Sequence, residues 1–233
     1  MEDEIREFLE TRRSSRAERP CIRYRKGVFE LVVPEDMKLD EQKFLSRNFN
    51  WIRDRLPEAR EYRRKVPDWD LSEGGRISVL GTERKISIEK RRTGRVSEEE
   101  ILLAEHLVDR NSVRERLEET LRKHAREKFH EKVERFSGGI DGEYGRIFVR
   151  DQDTRWGSCS GEDNLNFNWR LVLCPEKVLE YVVVHEFVHL EVPDHSDRFW
   201  SRVEELMPDY REQKKWLSEN SARLVYDRLR ETQ

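Results

Sequence analysis

The chain has 233 residues, of which 35% are hydrophobic and 41% are charged, and its formal net charge is −3 at pH 7. This length allows one large domain or two small ones, and the near balance of acids and bases argues against a strongly basic nucleic-acid-binding protein. The start does not resemble a signal peptide, no segment approaches membrane-spanning length, and the three cysteines form no Cys-x-x-Cys pair. We therefore expect a cytoplasmic protein with reduced thiols.

The first part of the chain is predicted to be a flexible arm followed by a β-rich module. Residues 1–20 are polar and rich in arginine and glutamate, which favours a frayed helix or a flexible arm. Residues 21–96 contain two stretches of alternating apolar residues with turns at Gly27 and Gly81, and a helix capped by Asp40 lies between them. We predict a small N-terminal β-rich module over 21–96.

The middle of the chain, residues 97–137, is predicted to be a helical connector. Aliphatic residues cluster in 98–108, and a longer helix capped at 111–112 keeps its apolar residues three to four positions apart. The charged remainder of the longer helix is interpreted as a solvated face. His124 and His130 on it are accordingly predicted to be surface residues and not ligands.

Residues 138–233 are predicted to form the catalytic domain. A strand with alternating apolar residues over 165–171 precedes a helix over 176–191 that is apolar almost all round. This helix contains His185, Glu186 and His189 in a His-Glu-x-x-His pattern, which places both imidazoles on one helix face. Neutral imidazoles bind Zn²⁺, and a neighbouring glutamate can act as general base for a water at the open position. The pattern predicts a catalytic zinc site.

The third zinc ligand is predicted to be His195, six residues after the second histidine, because Pro193 ends the helix and lets the chain turn back. The alternative is a carboxylate from the following helix, Glu204 or Glu205. The spacing equals that of metzincins, but Val192 stands where those enzymes have glycine, so the chain is not assigned to that group.

Further motifs surround the predicted site. They are Thr154-Arg155-Trp156-Gly157-Ser158-Cys159-Ser160, Asn168-Trp169-Arg170-Leu171, Tyr181-Val182-Val183-Val184, Leu190, Pro193, Ser196 and Phe199-Trp200. Together with the histidines they resemble the YgjP-like (DUF45, M48-type) metallopeptidase family, strongly over 140–217 and weakly in the N-terminal module. The resemblance implies an α+β protein with a zincin-like catalytic domain, in which the three histidines bind zinc and Glu186 is catalytic. Phe187-Val188 and Glu191-Val192 depart from the family's usual residues, which changes the charge beside the cleft.

The resemblance also places Arg155 and Trp156 near the site, where both are predicted to bind substrate. Arg155 can stabilise an oxyanion or hold a carboxylate or phosphate, or it can be a structural arginine of its loop. In a zincin arrangement the strand at 165–172 can pair with an extended substrate, or it is a plain core strand. Cys159 is interpreted as a packing residue, since no neighbouring base is indicated.

The leading functional hypothesis is zinc-dependent hydrolysis of peptide bonds in a polypeptide substrate. One alternative keeps the metal and Arg155 but makes the protein a nucleotide pyrophosphatase. A second alternative is a DNA-associated SprT-like protease, whose N-terminal module binds nucleic acid through the basic runs 60–65 and 90–95. A solvated charged surface is the preferred interpretation of these runs, and no oligomeric state is predicted.

Overall fold

The chain forms two compact units, Met1–Pro67 and Asp68–Gln233, and each contains a hydrophobic core. The computed structural model describes residues 2–25, 27–67, 69–108, 112–139, 142–152 and 155–224. Asn111 of the predicted helix cap and Thr154 of the predicted loop lie outside these residues. Helices and mixed sheets occur in both units, so the predicted α+β class is confirmed. No helix in the described part of the chain is long and apolar enough to span a membrane, and the cytoplasmic location stays a prediction.

The first unit is a three-stranded sheet with helices. Its elements are α1 (Glu2–Arg6), β1 (Leu9–Ser14), β2 (Cys21–Arg25), β3 (Val28–Pro34), α2 (Glu41–Arg47) and α3 (Phe49–Lys65). The predicted hairpin is confirmed by the antiparallel pair β2–β3, and the Asp40 side chain caps α2 by accepting from the Lys43 N–H at 3.0 Å. The predicted flexible arm over 1–20 is wrong, because Ile5 and Phe8 are buried and β1 pairs along its length with β3.

A four-stranded sheet begins the second unit. Its strands are β4 (Arg76–Val79), β5 (Thr82–Glu89), β6 (Arg95–Val96) and β7 (Glu100–Ala104), in the order β4-β5-β7-β6, and α4 (Glu105–Val108) follows. The helix predicted over 98–108 is therefore wrong for its first half. A short run of apolar residues fits a strand buried on both faces as well as a helix, and only the parallel pairing with β5 decides between them.

The boundaries predicted for the segments 21–96 and 97–137 do not coincide with the two units. The sheet β4–β7 lies in the second unit, where it packs against the long helix α5 (Val113–Ser137). A capping box between Ser112 and Glu115 begins α5, and its predicted apolar face is buried from Leu117 to Val133, whereas Val113 is partly buried. His130 is exposed as predicted, but His124 is not a surface residue, since only 12% of its side chain is exposed.

The remaining elements hold the candidate site. They are β8 (Ile147–Arg150), β9 (Gly157–Cys159), β10 (Leu165–Asn168), a 3₁₀ helix (Trp169–Leu173), α6 (Glu176–Val188), α7 (Asp197–Leu206), α8 (Tyr210–Asn220) and a second 3₁₀ helix (Ser221–Leu224). The sheet order is β8-β10-β9. Of the two interpretations of 165–172, the core strand agrees with the structure over 165–168, because β10 has a strand on each side, and residues 169–173 are helical. The edge strand nearest α6 is β9.

Ion pairs join α6 to α5. The buried Lys132 Nζ of α5 lies 2.6 Å from Glu176 Oε1 and 3.0 Å from Glu180 Oε1, both on α6. Burial acts to lower the pKa of Lys132, but its hydrogen bonds to these two carboxylates outweigh burial and raise that pKa above its usual value. Arg135 also contacts Glu180, at 2.7 Å. These contacts hold the helix that carries the candidate site against the long helix.

Candidate metal centre

Helix α6 and the turn after it bring three imidazoles together. His185 lies inside α6, His189 is the C-cap residue, and His195 directly precedes the residue that caps α7. One possible ligand atom from each lies within 4.8 Å of the others, and His185 Nε2 is 3.0 Å from His195 Nε2. Two nitrogens bound to one tetrahedral zinc ion are about 3.3 Å apart. The spacing of this pair therefore suits a shared ion.

The orientation of His189 leaves its second nitrogen available. Its Nδ1 lies 3.0 Å from the carbonyl oxygen of Val192, to which a Nδ1–H tautomer donates. That tautomer keeps a lone pair on Nε2. Phe199 of α7 packs beside all three imidazoles, with ring centroids 4.9, 4.5 and 4.8 Å from those of His185, His189 and His195. The cluster is thus held by an apolar ring and a backbone acceptor.

Burial favours the neutral form of His185 and His189. Burial, followed by the neighbouring His189 and His195, lowers the pKa of His185 to about 3, and burial also lowers the pKa of His189. The Nδ1 atom of His185 is buried without a hydrogen-bond partner in the described part of the chain. Neutral imidazole is the form that binds metals, and a set of three imidazoles suits Zn²⁺. The residues present therefore fit a zinc ion.

The carboxylates of Glu204 and Glu205, considered as alternative ligands, form ion pairs with arginines. The Glu204 carboxylate is bound by Arg211, and the Glu205 carboxylate lies 2.8 Å from Arg202. Neither belongs to the cluster of possible ligand atoms formed by the described residues. The structure thus brings His195 to the other two histidines and leaves both glutamates outside.

Glu186 lies next to His185 in α6 and is buried, with only 6% of the residue exposed. Burial raises the pKa of this carboxyl to about 7, while the backbone N–H of Cys159 and the charge of Arg155 act in the opposite direction. A bound metal cation would act against burial and lower this pKa. A carboxyl in this range can take up and release a proton near neutral pH.

A cavity of about 590 Å³ opens at the three histidines and Glu186. Its lining includes Arg155, the residues of β9, Leu190 and Pro193. Trp156, which was predicted with Arg155 to bind substrate, packs against the hydrophobic core and is not among the described residues that line this cavity. Only Arg155 of the predicted pair is therefore placed where it can meet a substrate.

Strand β9 and Phe199 are the parts of the site that sequence reasoning missed. The segment Gly157–Cys159 was interpreted as part of a loop, although a glycine within a short strand can mark a close backbone approach. Phe199 belongs to the Phe199-Trp200 motif, but nothing in that motif indicates contact with the histidines. The thiol of Cys159 has its pKa raised to about 11 by burial, so it stays protonated, which agrees with a packing role.

Comparisons with known proteins identify the chain by its family. A family model described as "YgjP-like, metallopeptidase domain" matches residues 19–220. None of the curated proteins matches the chain. Among solved structures, the metallopeptidase zymogen of Pyrococcus abyssi abylysin is similar with 19% identity over 46% of this chain and 98% of that chain, at a TM-score of 0.32. The assignment of the chain to a family therefore depends on the match over residues 19–220 and not on this structural similarity.

Proposed function

The chain belongs to the YgjP-like metallopeptidase family and is a metallopeptidase, and we propose that it hydrolyses peptide bonds with a Zn²⁺ ion held by His185, His189 and His195. Glu186 is the general base in this proposal. The observation that carries it is the convergence of three imidazoles, two of them with lowered pKa values, beside a buried carboxylate on the same helix.

Each residue has a defined task in this reaction. When bound, zinc supplies a Lewis acid that acidifies water and polarises a carbonyl group. The Glu186 carboxylate accepts a proton from the attacking water and returns it to the leaving amine. The guanidinium of Arg155, which lines the same cavity, stabilises the negative charge that develops on the carbonyl oxygen.

The free edge of β9 is proposed as the substrate-binding strand. The Asn168 N–H donates to the Trp156 carbonyl at 2.8 Å, and the Ser160 N–H donates to the Asn164 carbonyl at 2.9 Å. Backbone groups alternate in direction along an antiparallel strand, so those of Gly157 and Cys159 face away from β10. An extended polypeptide can pair with this edge through the groups other than the Cys159 N–H, which is directed at Glu186.

Replacement of Glu186 by Gln tests the proposal directly. The variant keeps the side-chain volume and leaves the histidines intact, so zinc binding should persist while peptide hydrolysis falls by roughly 10²–10⁴-fold. Cell extracts incubated with wild-type or Glu186→Gln protein are compared by peptide mapping, after bound zinc has been measured in both.

Glu205→Gln is the matched control, because this exposed carboxylate lies outside the histidine cluster. It should retain wild-type cleavage and wild-type zinc content. Unchanged cleavage by zinc-loaded Glu186→Gln would refute the role of Glu186.

The pyrophosphatase alternative is supported by the position of Arg155 in the cavity, where a guanidinium can hold a phosphate. Nucleoside triphosphates are therefore included in the same assay as the peptides. Metal-dependent turnover that Glu186→Gln abolishes would favour this alternative, and no turnover would remove it.

The nucleic-acid alternative finds less support in the first unit. In α3, Arg60 and Arg63 bind carboxylates of Glu4 and Glu7, and Arg64 and Lys65 lie within ion-pair distance of Glu61. These pairs agree with a solvated charged surface. Salt-dependent DNA affinity would revive the alternative, since phosphate contacts weaken as salt rises.

A further inference from the structure

The backbone of β9 approaches Glu186 more closely than a side chain would permit. A Cβ atom built on Gly157 would lie 2.6 Å from both Cγ and Oε1 of Glu186, and 2.9 Å from its Cδ. Carbon atoms in van der Waals contact are about 3.5–4.0 Å apart. Any residue larger than glycine at 157 must therefore displace either the strand or the Glu186 side chain.

Space, and not backbone conformation, is what requires glycine here. The glycines with positive φ among the described residues are Gly27, Gly74 and Gly81, so Gly157 has a backbone that other residues can adopt. The three atoms nearest to the added Cβ all belong to Glu186. The closest restriction at residue 157 therefore comes from the Glu186 side chain.

A second contact from the same strand fixes the carboxylate. The backbone N–H of Cys159 is directed at the Glu186 carboxylate and acts to lower the pKa of that group. The backbone groups of Gly157 and Cys159 both face away from β10, so these two residues present the same edge of β9. The strand therefore meets Glu186 at two residues. The N–H of Cys159 faces the carboxylate, and the backbone of Gly157 leaves room for the Glu186 side chain.

We propose that Gly157 is a positioning residue for Glu186, because its missing side chain lets β9 hold the carboxylate in the orientation needed for proton transfer. This proposal rests on the proposed role of Glu186 as general base. Gly157 acts through Glu186 and need not touch the reacting atoms.

Gly157→Ala tests this role. The added methyl requires a shift of about 1 Å between strand and carboxylate, and a misplacement of that size can cost about 100-fold in rate. We expect kcat to fall by about 10–100-fold with KM and zinc content unchanged. Steady-state kinetics on a peptide substrate, together with metal analysis, measure these quantities.

Gly138→Ala is the matched control for exchanging glycine for alanine. Gly138 follows α5 with φ −70° and ψ −9°, and an added Cβ there meets nothing within 4 Å. Its kinetic constants should equal those of the wild type. A decrease in kcat as large as that of Gly157→Ala would indicate a general effect of the exchange.

Combined variants separate positioning from a merely structural effect. If Gly157 acts through Glu186, adding Gly157→Ala to Glu186→Gln does not lower the residual turnover further. Should Gly157→Ala alone lower stability, the same substitution in a Glu186→Ala protein restores it, because the three atoms that the methyl would meet are then gone. Thermal unfolding measures this cycle, and if Gly157→Ala alone does not fold, the expected result is that the double variant does.

The outcomes distinguish the two proposals. Full activity of zinc-loaded Glu186→Gln removes the general-base role, whatever Gly157→Ala does. An inactive Glu186→Gln with an unchanged kcat for Gly157→Ala overturns the positioning role alone. That role is also overturned if the loss of stability persists in the Glu186→Ala background.

Discussion

Helices α5 and α6 each bury a histidine inside the second unit, but the two histidines have different neighbours. His185 of α6 has its Nε2 3.0 Å from that of His195, with His189 in the same cluster. His124 of α5 has a buried Nε2 without a partner in the described part of the chain, and its Nδ1 lies 4.0 Å from a Glu127 oxygen. Helix α6 thus contributes to a cluster of histidines, whereas the histidine buried by α5 lies outside that cluster.

The comparison shows that burial alone does not identify a metal ligand. Burial is the main cause of a lowered pKa in both cases, to about 3 for His185 and about 4 for His124. The further contributions at His124 come mainly from the cations Lys128 and Arg84, which would also repel a metal ion. Convergence of several neutral nitrogens is what makes the α6 site suitable for zinc.

The largest expected effect is the loss of zinc on removing a cluster histidine. His189→Ala should weaken zinc binding by about 10³-fold or more, beyond the 10–100-fold typical of losing an outer contact. His124→Gln should leave zinc binding unchanged. Competition with a chromophoric chelator measures both affinities. Equal zinc affinity of His189→Ala and the wild type would contradict the proposed ligand set.

A smaller effect is expected from breaking the ion pairs between the two helices. Lys132→Met should destabilise the protein by about 3 kcal/mol, because within the described residues it leaves the largely buried Glu180 with Arg135 as its remaining ion-pair partner. Lys128→Met is the control, since its partner Glu131 is half exposed and the loss should stay below about 1 kcal/mol. Urea unfolding measures both, and equal losses would show that the buried network adds no more stability than an exposed ion pair.

The smallest effect concerns the pH dependence of stability. The unfolded chain protonates His124 near its usual pKa, whereas the folded protein does so only near about 4. Stability is therefore lost as pH falls from about 6.5 towards about 4, and His124 accounts for about 1–2 kcal/mol between about pH 7 and pH 5 after allowance for solvent screening.

His124→Gln should accordingly flatten this part of the stability profile. The exposed His130 on the same helix offers the matched control, since His130→Gln should keep the wild-type slope. Urea unfolding of metal-free protein at several pH values gives the profiles. Parallel profiles for the wild type and His124→Gln would show that burial of this histidine does not couple stability to pH.

The chemistry of the site follows from patterns that lie close together in the sequence. His185, Glu186 and His189 share one turn of helix, and Pro193 allows His195 to return within a few residues. Helical periodicity and the end of a helix are local properties, so sequence alone could predict this cluster. The buried apolar face of α5 was predictable for the same reason.

The remaining features depend on partners that are distant in the chain. Residues 100–104 became a strand through pairing with β5, and residues 9–14 through pairing with β3. The burial of His124, the position of β9 at the sheet edge and its contact with Glu186 likewise arise from packing between separate elements. The sequence by itself determined that three imidazoles and a carboxylate lie together at the end of α6. Only the tertiary structure decided what holds them, because the close approach of Gly157 to Glu186 brings together residues that no local pattern relates.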